Sequence, residues 1–193
     1  MWSPCPPEEA AIGLFVQAAF ASLANAGAAK DKDLRCGAIR TIVRCVNAFG
    51  QRVNAVTAAM SLLHQHEHSS GPMAELVATA WEAQEAALVS DVLREIGRIP
   101  MAELARDTGA ARNIATFLTD LAELAPAVIL MHMSVLNPHL QQGESYMMRN
   151  AILHAIGYTL VELVSIIRKE RSDTAIKTRE SLLQVTILAQ TCF

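Results

Sequence analysis

ESYMMRNAILHAIG, residues 144–157, decides how this chain is read. Glu144 and Ser145 open it, and Met147, Met148, Ala151, Ile152, Ala155 and Ile156 follow at the spacing of one helix face. One charge, Arg149, interrupts the apolar run. A second stretch, DKDLRCGAIRTIV at 31–43, overlays on the first when Arg35 is set on Arg149. Both begin with an acidic residue. Both carry an apolar residue just before the arginine (Leu34, Met148), a small residue two positions after it (Gly37, Ala151) and Ile42 or Ile156 seven after it. TGAARNIATFLTDLAELAP, 108–126, is a looser third copy around Arg112.

Helical spacing runs along the rest of the chain. Helices are predicted over 8–26, 31–49, 51–65, 72–82, 84–97, 110–124, 126–140, 143–170 and 172–190, about nine in all, with 98–109 the least regular connection. Repeated helical pairs joined by short turns predict an all-α fold: a HEAT-like α-solenoid of stacked antiparallel hairpins, with 1–193 as one helical-repeat domain. Arg35, Arg112, Glu144 and Arg149 are the expected repeat positions. An arginine near a helix start can reach back along its stem to an acidic residue, or to free carbonyls of a neighbouring turn. Glu144 is the partner expected for Arg149, whose loss is expected to leave a buried acceptor unpaired.

Composition agrees. Hydrophobic residues make up 52%, charged residues 18% and aromatics 5%, which suits packed helices rich in Ala and Leu. A net charge of −3 gives no global attraction to nucleic acid. Two basic sets stand out locally. Arg40 and Arg44 lie four apart near Lys30, Lys32 and Arg35, and Arg168, Lys169, Arg171, Lys177 and Arg179 form the second. A solvated face is the favoured reading of both, with Arg40, Arg44, Arg168, Lys169 and Arg171 as candidate DNA or partner contacts. Cys5, Cys36, Cys45 and Cys192 match no zinc spacing and are expected as reduced thiols. No apolar run reaches the roughly 18–20 residues of a membrane span. No basic flank precedes the first apolar stretch, so a secretory signal is not expected.

His64, Glu67 and His68 spell H-x-x-E-H, the pattern of one zinc-peptidase class. A catalytic zinc needs a third protein ligand, and the segment runs straight into the turn HSSGP. A solvated helix end is the expected reading. His132, His139 and His154 are scattered singles, expected to be satisfied by packing and one hydrogen bond. The methionines 131, 133, 147 and 148 are expected in the core. No phosphate-binding glycine loop or nucleophile elbow occurs. No catalytic residue, cofactor or metal is expected.

HEHSSGPMAELVATAWE (66–82), SDVLREIGR (90–98), DTG (107–109), FLTDLAELAPAVILMHMSVLNPHL (117–140) and GESYMMRNAILHAIG (143–157) occur in that order. Together they resemble the N-terminal region of the condensin subunit 1 family, the D-type HEAT-repeat subunits, over roughly 60–165. The chain departs from the family where Thr108 meets Gly109 directly, where Asn113 follows Arg112 and where His66 precedes Glu67. It is also far shorter than a full subunit, as expected of a fragment. The resemblance implies a non-enzymatic scaffold or regulatory subunit of condensin, acting in mitotic chromosome condensation. It implies the kleisin and the SMC ATPase heads as partners, with double-stranded DNA or chromatin as a further one. It implies no small-molecule substrate and no membrane. The implied location is the nucleus and chromosome, with cytoplasm in part of the cell cycle. The alternative is another HEAT-repeat adaptor, cohesin-related or transport-related, that binds peptide segments.

Overall fold

Some helix starts in this chain are set by short polar side chains. Asn25 Oδ1 accepts from the backbone N–H groups of Gly27 and Ala28, at 2.9 and 3.1 Å, and opens a short extra helix. Asp31 Oδ1 accepts from Asp33 and Leu34 at 2.9 and 3.1 Å, and Thr108 Oγ1 accepts from Ala111 at 3.3 Å. Each bond satisfies an N–H that has no partner inside its own helix.

The computed structural model describes residues 6–106, 108–141 and 145–169. They form α1 (Pro6–Ala24), α2 (Ala26–Lys30), α3 (Lys32–Phe49), α4 (Ala55–Gln65), α5 (Ser70–Glu82), α6 (Ala86–Arg98), α7 (Met101–Leu104), α8 (Gly109–Leu124), α9 (Pro126–Met131), α10 (Met133–Gln141) and α11 (Tyr146–Lys169). Two 3-10 turns, Gly50–Val53 and Glu67–Ser69, complete them, and no strand occurs among the described residues. The fold is all-α, a HEAT-like stack of hairpins. One row runs α3, α5, α8, α11, each packed on the next; a second runs α1, α4, α6, α10. α8 sits at the centre, against α4, α5, α9 and α11. Its Ile114, Phe117, Leu118 and Leu121 are fully buried.

Eleven α-helices stand among the described residues where about nine were expected over the whole chain. The predicted helix 172–190 lies outside the described residues. The Asn25 cap adds α2. The connection 98–109 holds the one-turn helix α7. The predicted helix 126–140 breaks at His132, whose ring Nδ1 bonds Val128 O at 2.8 Å and competes with the helix ladder there. His132 Nε2 accepts from the Ser90 hydroxyl at 3.0 Å, which ties the break to α6. Gly50 ends α3 with φ 59°, as its position suggested. Gly97 closes the predicted helix 84–97 and lies one residue inside the end of α6. A Cβ there would run into the Val135 side chain and stand 3.1 Å from its carbonyl oxygen, so glycine lets α6 and α10 approach closely.

α11 corrects a second expectation. Tyr146–Arg168, with mean hydropathy 1.6, is long and apolar enough to cross a membrane by length and composition. One side of it packs on α8, α9 and α10, and Arg149, Glu162 and Arg168 are exposed along it. That is the pattern of a bundle helix with one covered side.

The α6–α10 seam also holds a histidine. His139 is 2% exposed, and its Nε2 has no hydrogen-bond partner. Burial lowers its pKa, and a hydrogen bond to the Gly97 backbone opposes that shift. The charged ring would bring a second N–H into a site with no acceptor for it. A folded-state pKa below the unfolded value makes the unfolded chain bind more protons as pH falls through about 6.5. The stability that His139 contributes is therefore present above that value and lost below it. Urea midpoints should fall between about pH 7 and about pH 5, and His139→Leu should flatten the dependence. An equal pH dependence in both proteins would count against this account.

Candidate interaction surface

The three arginines that align in sequence occupy one structural position. Arg35, Arg112 and Arg149 are each the fourth residue of α3, α8 or α11, the second helix of a hairpin. Their backbone N–H groups donate to the carbonyls of Asp31, Thr108 and Ser145. Ser145 Oγ also accepts from Met148 N at 3.3 Å, so α11 is capped by Ser145. Glu144 lies outside the described residues.

Their side chains differ. Arg35 is folded inward, 19% exposed. Its Nε donates to Glu75 Oε2 on α5 at 2.8 Å, and Nη1 donates to Ala29 O at 2.7 Å. One guanidinium thus joins the α2 turn, α3 and α5. The Glu75 hydrogen bond is the main cause that raises its pKa above the ordinary arginine value. Arg112 and Arg149 are exposed. The partner expected for Arg149, Glu144, lies outside the described residues.

Glu67 is exposed and His64 and His68 are half-buried, while the serines that follow them belong to a buried polar knot with Asn113. α4 stops at Gln65, so His64 lies on a helix while Glu67 and His68 lie on the following 3-10 turn. The H-x-x-E-H residues therefore do not share one helix. His68 Nε2 bonds Ala24 O at the end of α1, at 2.7 Å. Ser69 and Ser70 are buried. Ser69 Oγ stands 2.9 Å from Leu62 O and 2.6 Å from His66 O. Ser70 Oγ donates to Asn113 O on α8 at 3.0 Å, and Asn113 Nδ2 donates back to Leu63 O at 2.8 Å. Leu62 O and Leu63 O near the end of α4 are thus satisfied from the 3-10 turn and from α8. Sequence reasoning missed this knot. Its signal was two serines and one asparagine inside apolar runs.

Two grooves lie beside α3 on the outer surface. One, about 600 Å³, lies over Val46, Val56, Met60 and Leu88. Its rim holds the ion pairs Arg94–Asp91 at 2.6 Å and Arg98–Glu95 at 2.5 Å. The other, about 310 Å³, runs between α3 and α5, with Arg40 on one wall and Glu75 and Glu82 on the other. Arg40 and Arg44 are exposed on α3, but Arg35 has left that basic set for Glu75. Arg168 is exposed near the end of α11, whereas the Lys169 side chain and Arg171, Lys177 and Arg179 lie outside the described residues. On α8, burial, with Glu123 close by, raises the Asp120 carboxyl above its ordinary value. Among the described residues no cluster of three or more His, Cys, Asp or Glu could hold a metal ion. Met133 and Met148 are buried and Met131 is 64% exposed, so the methionines form no single surface.

The fold defines a segment of a helical-repeat protein. The chain is 33% identical over 139 residues, 71% of its length, to condensin complex subunit 1 of Mus musculus. It is 26% identical over 186 residues, 96% of its length, to condensin-1 complex subunit CAP-D2 of Arabidopsis thaliana. It is 29% identical over 168 residues, 86% of its length, to condensin complex subunit 1 of Xenopus laevis. Over these residues the chain is a relative of condensin complex subunit 1. It spans only 10–13% of those three relatives. No protein-family model matches it.

Arg35→Ala should lower stability by about 1–3 kcal/mol, because it leaves Glu75 and the Ala29 carbonyl short of a partner. Arg149→Ala should cost less, since that side chain is exposed. Urea unfolding of both variants checks the order, and equal costs would contradict it.

Proposed function

We propose that this chain is a segment of a condensin subunit that acts as a non-enzymatic scaffold in mitotic chromosome condensation. The observation that carries the reading is the similarity to condensin complex subunit 1 across 139 residues. Physical features support it. Stacked hairpins present long, gently curved faces, and such faces suit extended partner segments. The kleisin and the SMC ATPase heads are the partners of this reading, with double-stranded DNA or chromatin as a further one. Its setting is the nucleus and chromosome, with cytoplasm in part of the cell cycle. Arg40, Arg44 and Arg168 are the exposed cations within the proposed contact set, and Lys169 and Arg171 extend it in sequence. Arg35, Arg112, Glu144 and Arg149 are the repeat positions of the same proposal, in one helical-repeat domain over 1–193.

Co-expression of 1–193 with condensin's kleisin, and separately with an SMC head, followed by size exclusion, tests it. A stable complex with either is expected. Charge reversal at Arg40 and Arg44 should weaken that complex by on the order of tenfold, about 1.4 kcal/mol. A folded chain that elutes free of both partners contradicts the reading, and moves it to another helical-repeat adaptor.

A further inference from the structure

The groove between α3 and α5 carries charges of both signs, and their arrangement selects a class of partner. The Arg35–Glu75 pair ties the two helices together, and Glu75 is the first α5 residue on the groove wall. Glu82 is the last. Arg40, on the α3 wall, and Glu82 are both exposed, and among the described residues neither takes part in an ion pair. Cys36, Ala78 and Leu124 also line the groove, and Leu124 is 53% exposed. Two helices end on the Glu82 side: α5 stops at Glu82 and α8 at Leu124. A helix C-terminus carries roughly half a negative charge. Both ends reinforce the Glu82 carboxylate, so this side of the groove attracts a cation and repels a phosphate.

Arg40 offers the opposite sign. Its guanidinium can hold a carboxylate through two parallel hydrogen bonds. A DNA duplex carries one charge per roughly 1.7 Å of its axis, all of one sign. A duplex laid on Arg40 would also bring phosphates toward Glu82. An extended polypeptide can change sign from one side chain to the next, at about 3.3 Å per residue. We propose that this groove receives an extended segment of a protein partner, with an acidic side chain against Arg40, an apolar one on Leu124 and Ala78, and a basic one against Glu82. DNA is the poorer occupant of this face. The inference rests on the protein partners of the reading above, and it names the chemistry by which one of them docks.

Binding of the full chain to the kleisin and to an SMC head, with a short DNA duplex as the third probe, tests this. Arg40→Glu and Glu82→Lys change the charge in opposite directions. Both should weaken binding to the same protein partner, each by on the order of tenfold. Glu82→Gln should weaken it less, and so should Arg94→Glu, which makes the charge change of Arg40→Glu on the α6 groove instead. A phosphate contact predicts the opposite sign at Glu82. Tighter duplex binding by Glu82→Lys, with the protein complexes unchanged, would overturn the proposal in favour of nucleic acid. Protein complexes of wild-type strength in both reversal variants, or an equal loss with Arg94→Glu, would overturn it while leaving the reading above intact. A wild-type chain that binds neither protein would overturn that reading and this inference with it. Arg40 and Glu82 are exposed, so the variants should keep the fold, and Glu82→Gln decides where Glu82→Lys does not.

Discussion

The stack depends on what happens to the carbonyls at the end of α4. A helix end buried without partners is costly, and near the end of α4 the carbonyls of the buried residues Leu62 and Leu63 accept bonds from side chains outside the helix. Leu63 O is met by the Asn113 side chain, which comes from α8, fifty residues on. The same Asn113 offers its carbonyl to Ser70. Two hydrogen bonds running in opposite directions therefore fix α4, α5 and α8 against one another. Apolar contacts alone would tolerate sliding along these smooth, Ala-rich helices. Directional bonds in a dry site tolerate it poorly.

Arg35 does a related task near the surface. It bridges the α2 turn, α3 and α5 through Glu75 and Ala29 O. That pair is partly exposed and correspondingly weaker than the knot beneath it. The α6–α10 seam uses a different device, a glycine that lets two backbones meet at Val135. A stack built from such separate local fittings can bend at one hairpin without unpacking the next, which suits a scaffold that follows the shape of a partner.

The all-α class, the hairpins and most helix ends were legible because Ala/Leu periodicity and capping residues act locally. The overlay of Arg35, Arg112 and Arg149 found a true equivalence: all three are the fourth residue of a second helix. It did not tell that the Arg35 guanidinium turns inward, because that depends on Glu75, a carboxylate brought in from another helix. The serines at 69 and 70 read as a turn, since polarity alone cannot distinguish a solvated turn from a buried one. His132 read as a helix residue because its competition for Val128 O is a side-chain choice with no periodic signature. The exposed side of α11 was hard to read because Tyr158, Val161 and Val164 are exposed there among its few charges. Arg40 and Arg44 stay on an open face, while Arg35, next to them in sequence, is drawn into the packing.

The most direct measurement of the central claim is the stability of Asn113→Leu. Leucine matches the asparagine in size and suits the apolar surroundings, but it offers no donor to Leu63 O. If the polar knot fixes the stack, urea unfolding should show a loss of about 1–3 kcal/mol despite the added apolar surface. An unchanged or raised midpoint would mean that apolar packing alone sets the arrangement of α4, α5 and α8.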